Sequence, residues 1–305
     1  SRARDRANHA LLPKLTELAR KHDIQAVHTN SAVIGIGGPL ARNLRVPHIW
    51  HIRELPFLHY GFSVDGGMSR YARELRQAQA IIAISKAVVE DMRALAPTTN
   101  RVHLVSDGVL SMAQWELLGN AVARREEHRE FHFLLAALFH PSKGQAEAVE
   151  AFAKVHKSHP QARLCLAGSG QSSEVMAMVQ REGLEGVVRH TGFVDDILPL
   201  MVASQALLQC SRHEALGRVT LEAMACGLPV IGHASGATPE LLEDGVSGYL
   251  FTKREELVRH MCALIENPKT CSRMGKAGRA AIPGHYTVEA MLQRTLAIYE
   301  RCIAG

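Results

Sequence analysis

Leu207–Gly248, LLQCSRHEALGRVTLEAMACGLPVIGHASGATPELLEDGVSG, reads as strand, turn, helix, strand, turn, helix, with its polar residues gathered at the turns. Ala206–Cys210 is an apolar run with the length of a buried strand. Ser211, Arg212, His213, Glu214, Gly217 and Arg218 follow it, so a polar loop sits at the strand's carboxyl end. A helix from Arg218 to Cys226 ends at Gly227, a residue suited to a left-handed cap, and Pro229 stops its continuation before Val230 and Ile231 open the next strand.

Glu214 precedes this helix and Glu222 lies one turn inside it, so both carboxylates can face a ligand held over the helix N-terminus. Free N–H groups and the positive dipole end favour an anion such as phosphate there. Carboxylates beside a phosphate make sense as acceptors for neutral hydroxyls. A nucleotide sugar, with central phosphates flanked by hydroxyl-rich rings, has that pattern.

Glu214 and Glu222 are separated by seven residues, ahead of GLPVI and then GATPELLEDGVSGYLF. This frame resembles retaining glycosyltransferases of the GT4 family, which have the GT-B fold. The resemblance implies that Glu214 meets the transferred sugar, that Glu222 meets the nucleotide ribose, and that Leu216, Gly217 and Arg218 line the donor site.

Upstream, Phe133–Leu138 reads as a strand, followed by PSKGQAEAVEAF, a turn and then an amphipathic helix. Lys143–Gly144 resembles the family's KG motif, whose lysine binds the donor diphosphate. A compact ammonium at a glycine turn suits that task. Five residues before Lys143 the family usually carries an arginine, and this chain has Leu138. One diphosphate contact is therefore missing, and Arg218 is the candidate replacement. Ala162–Ala167 is a strand that ends in Gly168, Ser169 and Gly170; GSGQSS lacks the GK[ST] of a P-loop but resembles the family's glycine turn near the nucleotide. Val187–Val194, VVRHTGFV, reads as a core strand, and in the related enzymes the backbone around this segment, here Val194, meets the base. Asp195 and Asp196 suit the N-cap and first turn of a helix Ile197–Ala203 better than a metal.

Toward the end, a helix Arg254–Glu266 closes near Asn267 and Pro268. A final helix Val288–Ile303 carries Met291, Leu292, Leu296, Ile298, Tyr299 and Ile303 on a broad apolar face. The resemblance implies that it crosses back to the first domain.

The first half alternates strands and helices, which argues for a parallel sheet and the α/β class. Leu11, Leu12, Leu15, Leu18 and Ala19 form a helical stripe with Pro13 at its start or at a kink, and Ile24–Val27 reads as a strand. Arg2, Arg4, Arg6, Lys14, Arg20 and Lys21 surround that stripe, the pattern of a solvated face or of a membrane-surface helix. Gly35, Gly37 and Gly38 follow a strand but fail the GxGxxG spacing, since Leu40 stands at the last glycine's place; they read as close packing or a pliable loop. VPHIWHIRE, Val46–Glu54, resembles the amino-terminal domain of GT4 enzymes, in which a His reaches the donor sugar, and His51 is the candidate. Arg53 and Glu54 read as a mutual pair. Tyr60–Ser69 reads as a loop for acceptor contacts. Helix Tyr71–Gln79, strand Ala80–Ser85, helix Lys86–Leu95 and strand Val102–Val105 lead to SDGV, which resembles the end of the family's first domain. No strand stands out between Leu110 and Glu130; the run ARREEHRE reads as the interdomain connection, with His128 and His132 on one solvated helix face.

Composition bounds the partners. The 305 residues are 47% hydrophobic and 21% charged, enough for two ordinary cores. A net charge of +5 favours an anionic partner. With 5% aromatics and no recognition motif, nucleic acid is not that partner. No apolar run reaches the ~18 residues of a membrane span. The six cysteines form no CxxC pair and read as small buried hydrophobes in a reducing compartment, and the 17 histidines show no zinc spacing, so no metal site is expected.

The expectation is an α/β protein of GT-B type, with two Rossmann-like parallel-sheet domains facing a cleft. Residues 1–115 would form an amino-terminal, acceptor-side domain that looks incomplete against the family, residues 116–285 the nucleotide-sugar domain, and residues 286–305 the crossing helix. By the resemblance, the chain moves a sugar from a UDP- or GDP-linked donor to a hydroxyl acceptor without a metal and with retention. The catalytic set would be Glu214, His51 and Lys143. The donor set would be Glu222, Arg218, Gly217, Leu216, Gly144, Gly168 and Val194. A lipid-linked glycan as acceptor and peripheral contact with an anionic membrane, in the cytoplasm at its inner face, complete this reading. The alternative is a nucleotide-sugar-binding module without turnover, suggested by Leu138 and the short first domain. An epimerase or a phosphorylase on the same fold lacks its own acid–base or cofactor-lysine groups.

Overall fold

The computed structural model describes residues 2–55, 64–96, 101–123 and 129–304. Residues 60–63 of the expected acceptor loop, His128 and most of ARREEHRE lie outside them. In chain order the elements begin with α1 (Arg2–Lys21), β1 (Val27–Asn30), α2 (Gly37–Leu44), β2 (His48–Ile52), α3 (Met68–Gln77), β3 (Ala80–Ala83), α4 (Lys86–Leu95) and β4 (Val102–Leu104). There follow α5 (Met112–Ala123), β5 (Phe131–Ala136), α6 (Gln145–Ser158), β6 (Ala162–Ala167), α7 (Ser173–Arg181), β7 (Val188–Gly192), α8 (Leu198–Ala203) and β8 (Ala206–Gln209). The chain closes with α9 (Arg218–Ala225), β9 (Val230–His233), α10 (Thr238–Leu241), β10 (Gly248–Phe251), α11 (Arg254–Glu266), α12 (Pro268–Ala280) and α13 (Val288–Ala304). The chain divides into two compact units. Unit 1 comprises Ser1–Asp107, His213–Leu216 and Glu289–Gly305; unit 2 comprises Gly108–Arg212 and Gly217–Val288.

Unit 1 holds a four-stranded sheet of order β1-β2-β3-β4, with every pair parallel. HIWHI of β2 and AIIA of β3 are buried at every position, as strands covered on both faces must be. On one face Ile49, Ala80, Ile82 and Val105 pack with Ile298 of α13. On the other, Trp50 meets the Tyr71 ring edge-on at 5.3 Å and its indole N–H donates to Ser31 O at 2.8 Å.

The first strand starts at Val27, later than the expected Ile24, because α1 runs to Lys21 and Asp23 turns the chain with φ +49. Ile24 is left exposed. The stripe on α1 is also narrower than the leucine count suggests: Leu11 and Leu18 are exposed, while Leu12, Leu15 and Ala19 are half-buried around buried Thr16. Gly37 and Gly38 are close-packing residues. A Cβ would fall 1.7 Å from Thr29 Oγ1 at Gly37 and 2.2 Å from Glu74 Oε2 at Gly38.

Two buried histidines make unit 1 acid-sensitive. Burial holds His48 down to about 4, with Arg42 and His28 pushing the same way against Glu74. Burial also holds His51 down to about 4, aided by Arg53 and His28. Both are neutral in the fold, whereas the unfolded chain protonates them near 6.5. Their contribution is therefore fully present above about pH 6.5 and is lost as pH falls toward about 4, on the order of a few kcal/mol for the pair. Urea midpoints should drop steadily between pH 7 and pH 4.5, with less of a drop in His48→Gln; a flat profile would refute this.

Unit 2 holds a six-stranded sheet of order β10-β9-β8-β5-β6-β7, again all parallel. Strands β5, β6 and β7 run outward one way and β8, β9 and β10 the other, so the direction of winding reverses between β5 and β8. That is the doubly wound arrangement, in which ligands bind outside the carboxyl ends at the reversal. Phe133, Leu164 and Leu166 of the sheet bury against Phe152 of α6 and Leu257, Met261 and Leu264 of α11.

Two helices depart from the sequence expectation. The connection after Leu110 contains α5, whose Trp115 carries the Arg279 guanidinium 4.3 Å above its ring; Arg279 also donates to Trp115 O and Ala225 O. Pro268 stops α11 but opens α12, with Asn267 Oδ1 accepting from Thr270 N at 3.0 Å. Proline tolerates the first helical turn because its missing N–H has no intrahelical partner there. His132 lies in β5 rather than on a helix. Asp196 accepts from Leu198 N at 3.0 Å, but Ile197 occupies the cap position of α8. All six cysteines are free, and Cys165, Cys210 and Cys226 are buried. Among the described residues, no helix is long and apolar enough to cross a membrane.

Candidate functional site

The reversal point of unit 2 collects three loops. After β5 the chain passes Leu138 and makes a tight turn, Pro141–Lys143, that Gly144 closes with φ +71 before α6 begins. A Cβ at Gly144 would lie 2.5 Å from Cys210 O, so glycine alone lets this turn rest on the loop after β8. The two loops are bonded: Arg212 N donates to Ser142 O at 3.2 Å, and Arg212 Nη2 lies 3.7 Å from Glu147 Oε2. The third loop follows β6. Phe139 N donates to Ser169 O at 2.7 Å, and a Cβ at Gly168 would fall 1.9 Å from Ala137 O. Lys143, Gly144, Gly168, Gly217 and Arg218 thus come to one edge of unit 2. Lys143 is half-buried there. Leu138 is 49% exposed, and its carbonyl accepts from buried Gln145, so an apolar side chain stands at the edge where the resemblance expects an arginine.

Gly217 occupies the cap position of α9 with φ +84 and offers no side chain to the first turn. Around this helix start, the hydroxyls of Ser211, Thr220 and Thr238 are buried with no partner among the described residues. A buried hydroxyl without a partner costs free energy. Glu222 has 20% of its side chain exposed and lies 3.8 Å from Arg218 Nη2 one turn earlier. Burial raises its carboxyl above the usual range, and Arg218 pulls it partly back. The end of α9 is as expected: Gly227 turns with φ +66, its N–H bonds Met224 O, and Leu228 N bonds Ala223 O. That pair of bonds satisfies carbonyls that the helix end leaves open.

Glu214 and Leu216 belong to the segment His213–Leu216, which groups with unit 1. Glu214 is half-buried and Leu216 buried. His213 before them has φ +59, a conformation uncommon for a residue with a Cβ. Val194 is half-buried just beyond β7, which Gly192 ends with φ +72.

In unit 1 His51 is the last residue but one of β2, 6% exposed, on the face that Ile49 shares with α13. Its Nε2 is buried without a partner among the described residues, and its ring meets that of His28 edge-on at 5.6 Å. His28 in turn bonds the Tyr299 hydroxyl. One expectation is corrected: Arg53 and Glu54 do not pair with each other through their side chains. Glu54 accepts from Ser31 Oγ at 2.7 Å and from Ala32 N at 2.8 Å, while the Arg53 guanidinium pairs with Asp107. Asp107 is 54 residues away in sequence, and no local signal announces it.

Residues 121–281 match the family described as Glycosyl transferases group 1, over half of the chain, and residues 2–108 match the Glycosyl transferase 4-like domain. The N-acetyl-alpha-D-glucosaminyl L-malate synthase of Bacillus anthracis is 23% identical over 95% of this chain and 78% of its own length. The alpha-maltose-1-phosphate synthase of Mycobacterium tuberculosis is 27% identical over 98% and 85%. Among solved structures, Anabaena Alr3699/HepE in complex with UDP superposes with a TM-score of 0.83 at 23% identity, covering 96% of this chain and 82% of that one. Sucrose-phosphate synthase from Thermosynechococcus elongatus superposes with a TM-score of 0.78 at 22% identity, over 96% and 78%. With both of its parallel-sheet units so matched, the chain belongs to the glycosyl transferases group 1 family, the GT4 glycosyltransferases of GT-B fold.

Proposed function

We propose that this protein is a retaining, metal-independent hexosyltransferase that takes its sugar from a UDP-linked donor. The observation that carries the reading is the meeting of Lys143–Gly144, the Gly168 turn and the start of α9, with Glu222 one turn inside, at the reversal point of unit 2. Support for uridine comes from the structural neighbour Alr3699/HepE, which was solved with UDP and with UDP-glucose.

In glycosyl transfer, negative charge builds on the leaving diphosphate while the sugar becomes oxocarbenium-like, so the protein's work is electrostatic and positional. Lys143, Arg218 and the N-terminus of α9 supply positive charge for the leaving group without a metal. Glu222 accepts from the ribose hydroxyls, and Glu214 orients the sugar. The acceptor is a hydroxyl on a glycan or lipid. Relatives whose names describe work on small acids, sugars and lipids, including the alpha-monoglucosyldiacylglycerol synthase of Acholeplasma laidlawii, make glycolipid or surface-polysaccharide synthesis the fitting context. Peripheral contact with an anionic membrane at its inner face would rest on α1, although Arg4 of that helix is already paired with Asp65.

Calorimetric titration with UDP, GDP and ADP, without metal and then with magnesium, tests the reading. Binding of UDP alone without metal, followed by slow donor turnover, is the expected result. Binding without turnover against any hydroxyl acceptor would favour a nucleotide-sugar-binding module, the reading that the exposed Leu138 supports. Absence of binding by all three nucleotides would overturn the proposal.

A further inference from the structure

The face of the unit 1 sheet that α13 covers is not wholly apolar. β1 alternates, with Val27 and Thr29 buried and His28 and Asn30 exposed, and its pairing with β2 sets His28 beside Ile49 and Asn30 beside His51. Neighbours in register share a face, so His28 lies with Ile49 and His51 on the α13 side. That helix brings Ile298 into the core of the face and Tyr299 alongside it. The Tyr299 hydroxyl and His28 Nδ1 are hydrogen-bonded, and their rings meet edge-on at 5.7 Å. The His28 ring meets the His51 ring edge-on at 5.6 Å. Three polar rings, from α13, β1 and β2, stand in one row on a face otherwise filled by Ile49, Ala80, Ile82 and Val105.

The row is anchored at one end. Burial pushes the Tyr299 phenol up, while burial and Arg53 hold His28 down, so both groups are neutral where they meet. His51 is neutral as well, held down by burial, Arg53 and His28. At the other end of the row no hydrogen bond from the described residues reaches His51 Nε2. The torsion that turns an imidazole about its stem is broad, so a ring without such a bond takes its plane from what packs against it. For His51 that neighbour is the His28 ring, and the plane of His28 is in turn fixed by the bond to Tyr299.

We propose that His28 and Tyr299 are positioning residues for His51: the Tyr299 hydroxyl fixes the His28 ring, and the His28 ring fixes the plane in which His51 serves the reaction. The proposal rests on the glycosyl-transfer reading, in which the resemblance gives His51 a contact to the transferred sugar. Neither His28 nor Tyr299 touches substrate in this proposal. Both act through His51, and that is what the experiment isolates.

The test is a double-mutant cycle on the full chain, read by hydrolysis of UDP-glucose and UDP-N-acetylglucosamine and by long-range proton–nitrogen spectra of the histidine rings. Tyr299→Phe and His28→Gln are made in the wild type and in His51→Ala. Tyr299→Phe removes one hydroxyl from a half-buried ring, so the fold persists. In the wild type each variant should lower kcat by about 10-fold with KM little changed, the loss expected of a group held off its productive geometry. In the His51→Ala background neither should have a further effect. The ring nitrogens of His51, identified by their loss in His51→Ala, should shift in Tyr299→Phe. Equal losses in both backgrounds would leave the row as a structural tie between α13 and the sheet, and overturn the proposal. So would wild-type kcat in Tyr299→Phe and His28→Gln, or His51 signals that ignore Tyr299→Phe. Full activity of His51→Ala would overturn it too, while leaving the transferase reading in place. Hydrolysis of neither donor by the wild type would sink the functional reading, and this proposal with it.

Discussion

Glu222→Ala is expected to weaken nucleoside diphosphate binding by roughly 10- to 100-fold, the equivalent of one or two hydrogen bonds to a charged acceptor. The side chain sits one turn into α9, mostly buried, with Arg218 beside it at 3.8 Å. A carboxylate repels phosphate and accepts from hydroxyls, and the resemblance to the GT4 enzymes implies that the hydroxyls it serves are those of the ribose. Burial pushes this carboxyl up and Arg218 pulls it down, and hydroxyl donors that arrive with the ligand would favour its ionised form further. The control lies in the ligand. A 2′,3′-dideoxy nucleoside diphosphate should bind the wild type weakly and should bind Glu222→Ala about as well as the parent nucleotide does, the closing of a double-mutant cycle. If the variant still distinguished the two ligands as the wild type does, Glu222 would not hold the ribose. Glu222→Gln, which keeps one acceptor, should fall between.

Lys143→Ala should lower kcat by about 100- to 1,000-fold, the range seen when one preorganised group for developing charge is removed. The position argues for a transition-state role. Lys143 is the last residue of a tight turn that Gly144 holds against Cys210 and that Arg212 N bonds through Ser142 O. The ammonium therefore issues from a braced backbone, next to the start of α6, where charge on a leaving diphosphate is also favoured. Single-turnover rates at saturating donor read this effect separately from binding. A kcat kept at the wild-type value with only weaker donor affinity would place Lys143 in ground-state binding. Lys143→Arg should recover binding better than rate, because a planar fork replaces a point charge at a site shaped for the latter.

Much of unit 2 was legible in the chain. The Arg218–Ala225 helix, its Gly227 stop and the β9 start after Pro229 follow from local rules, since φ preference and a missing N–H act within a few residues. Strand β6 and helix α11 fall at their expected limits for the same reason. The readings that failed are those in which one local signal has two outcomes. Pro268 stops one helix and starts the next, and a charge run beside α5 obscured a helix whose anchor, Trp115 on Arg279, spans 164 residues.

In unit 1 the depth and direction of a side chain were likewise not legible in the sequence. Histidine is the residue that a sequence reading selects for chemistry, and His51 stands in a stretch that invites the choice. Strand alternation then decides which face each side chain takes, and pairing between strands decides how deep it lies. His51, within β2, was turned into the α13 face, and Arg53, past the end of the strand at Ile52, stands at the edge.

By itself the sequence determined the α/β class and the turns that need glycine, and it singled out Glu222 for the proposed phosphate-and-hydroxyl site, because those depend on residue type and near neighbours. Only the tertiary structure decided that β5 and β8 lie side by side, that Lys143 and Arg218 share an edge, and that Arg53 pairs with Asp107 rather than Glu54. Parallel strands are joined by long crossovers, so the groups that meet at their carboxyl ends come from distant parts of the chain, and no local pattern encodes which strands become neighbours.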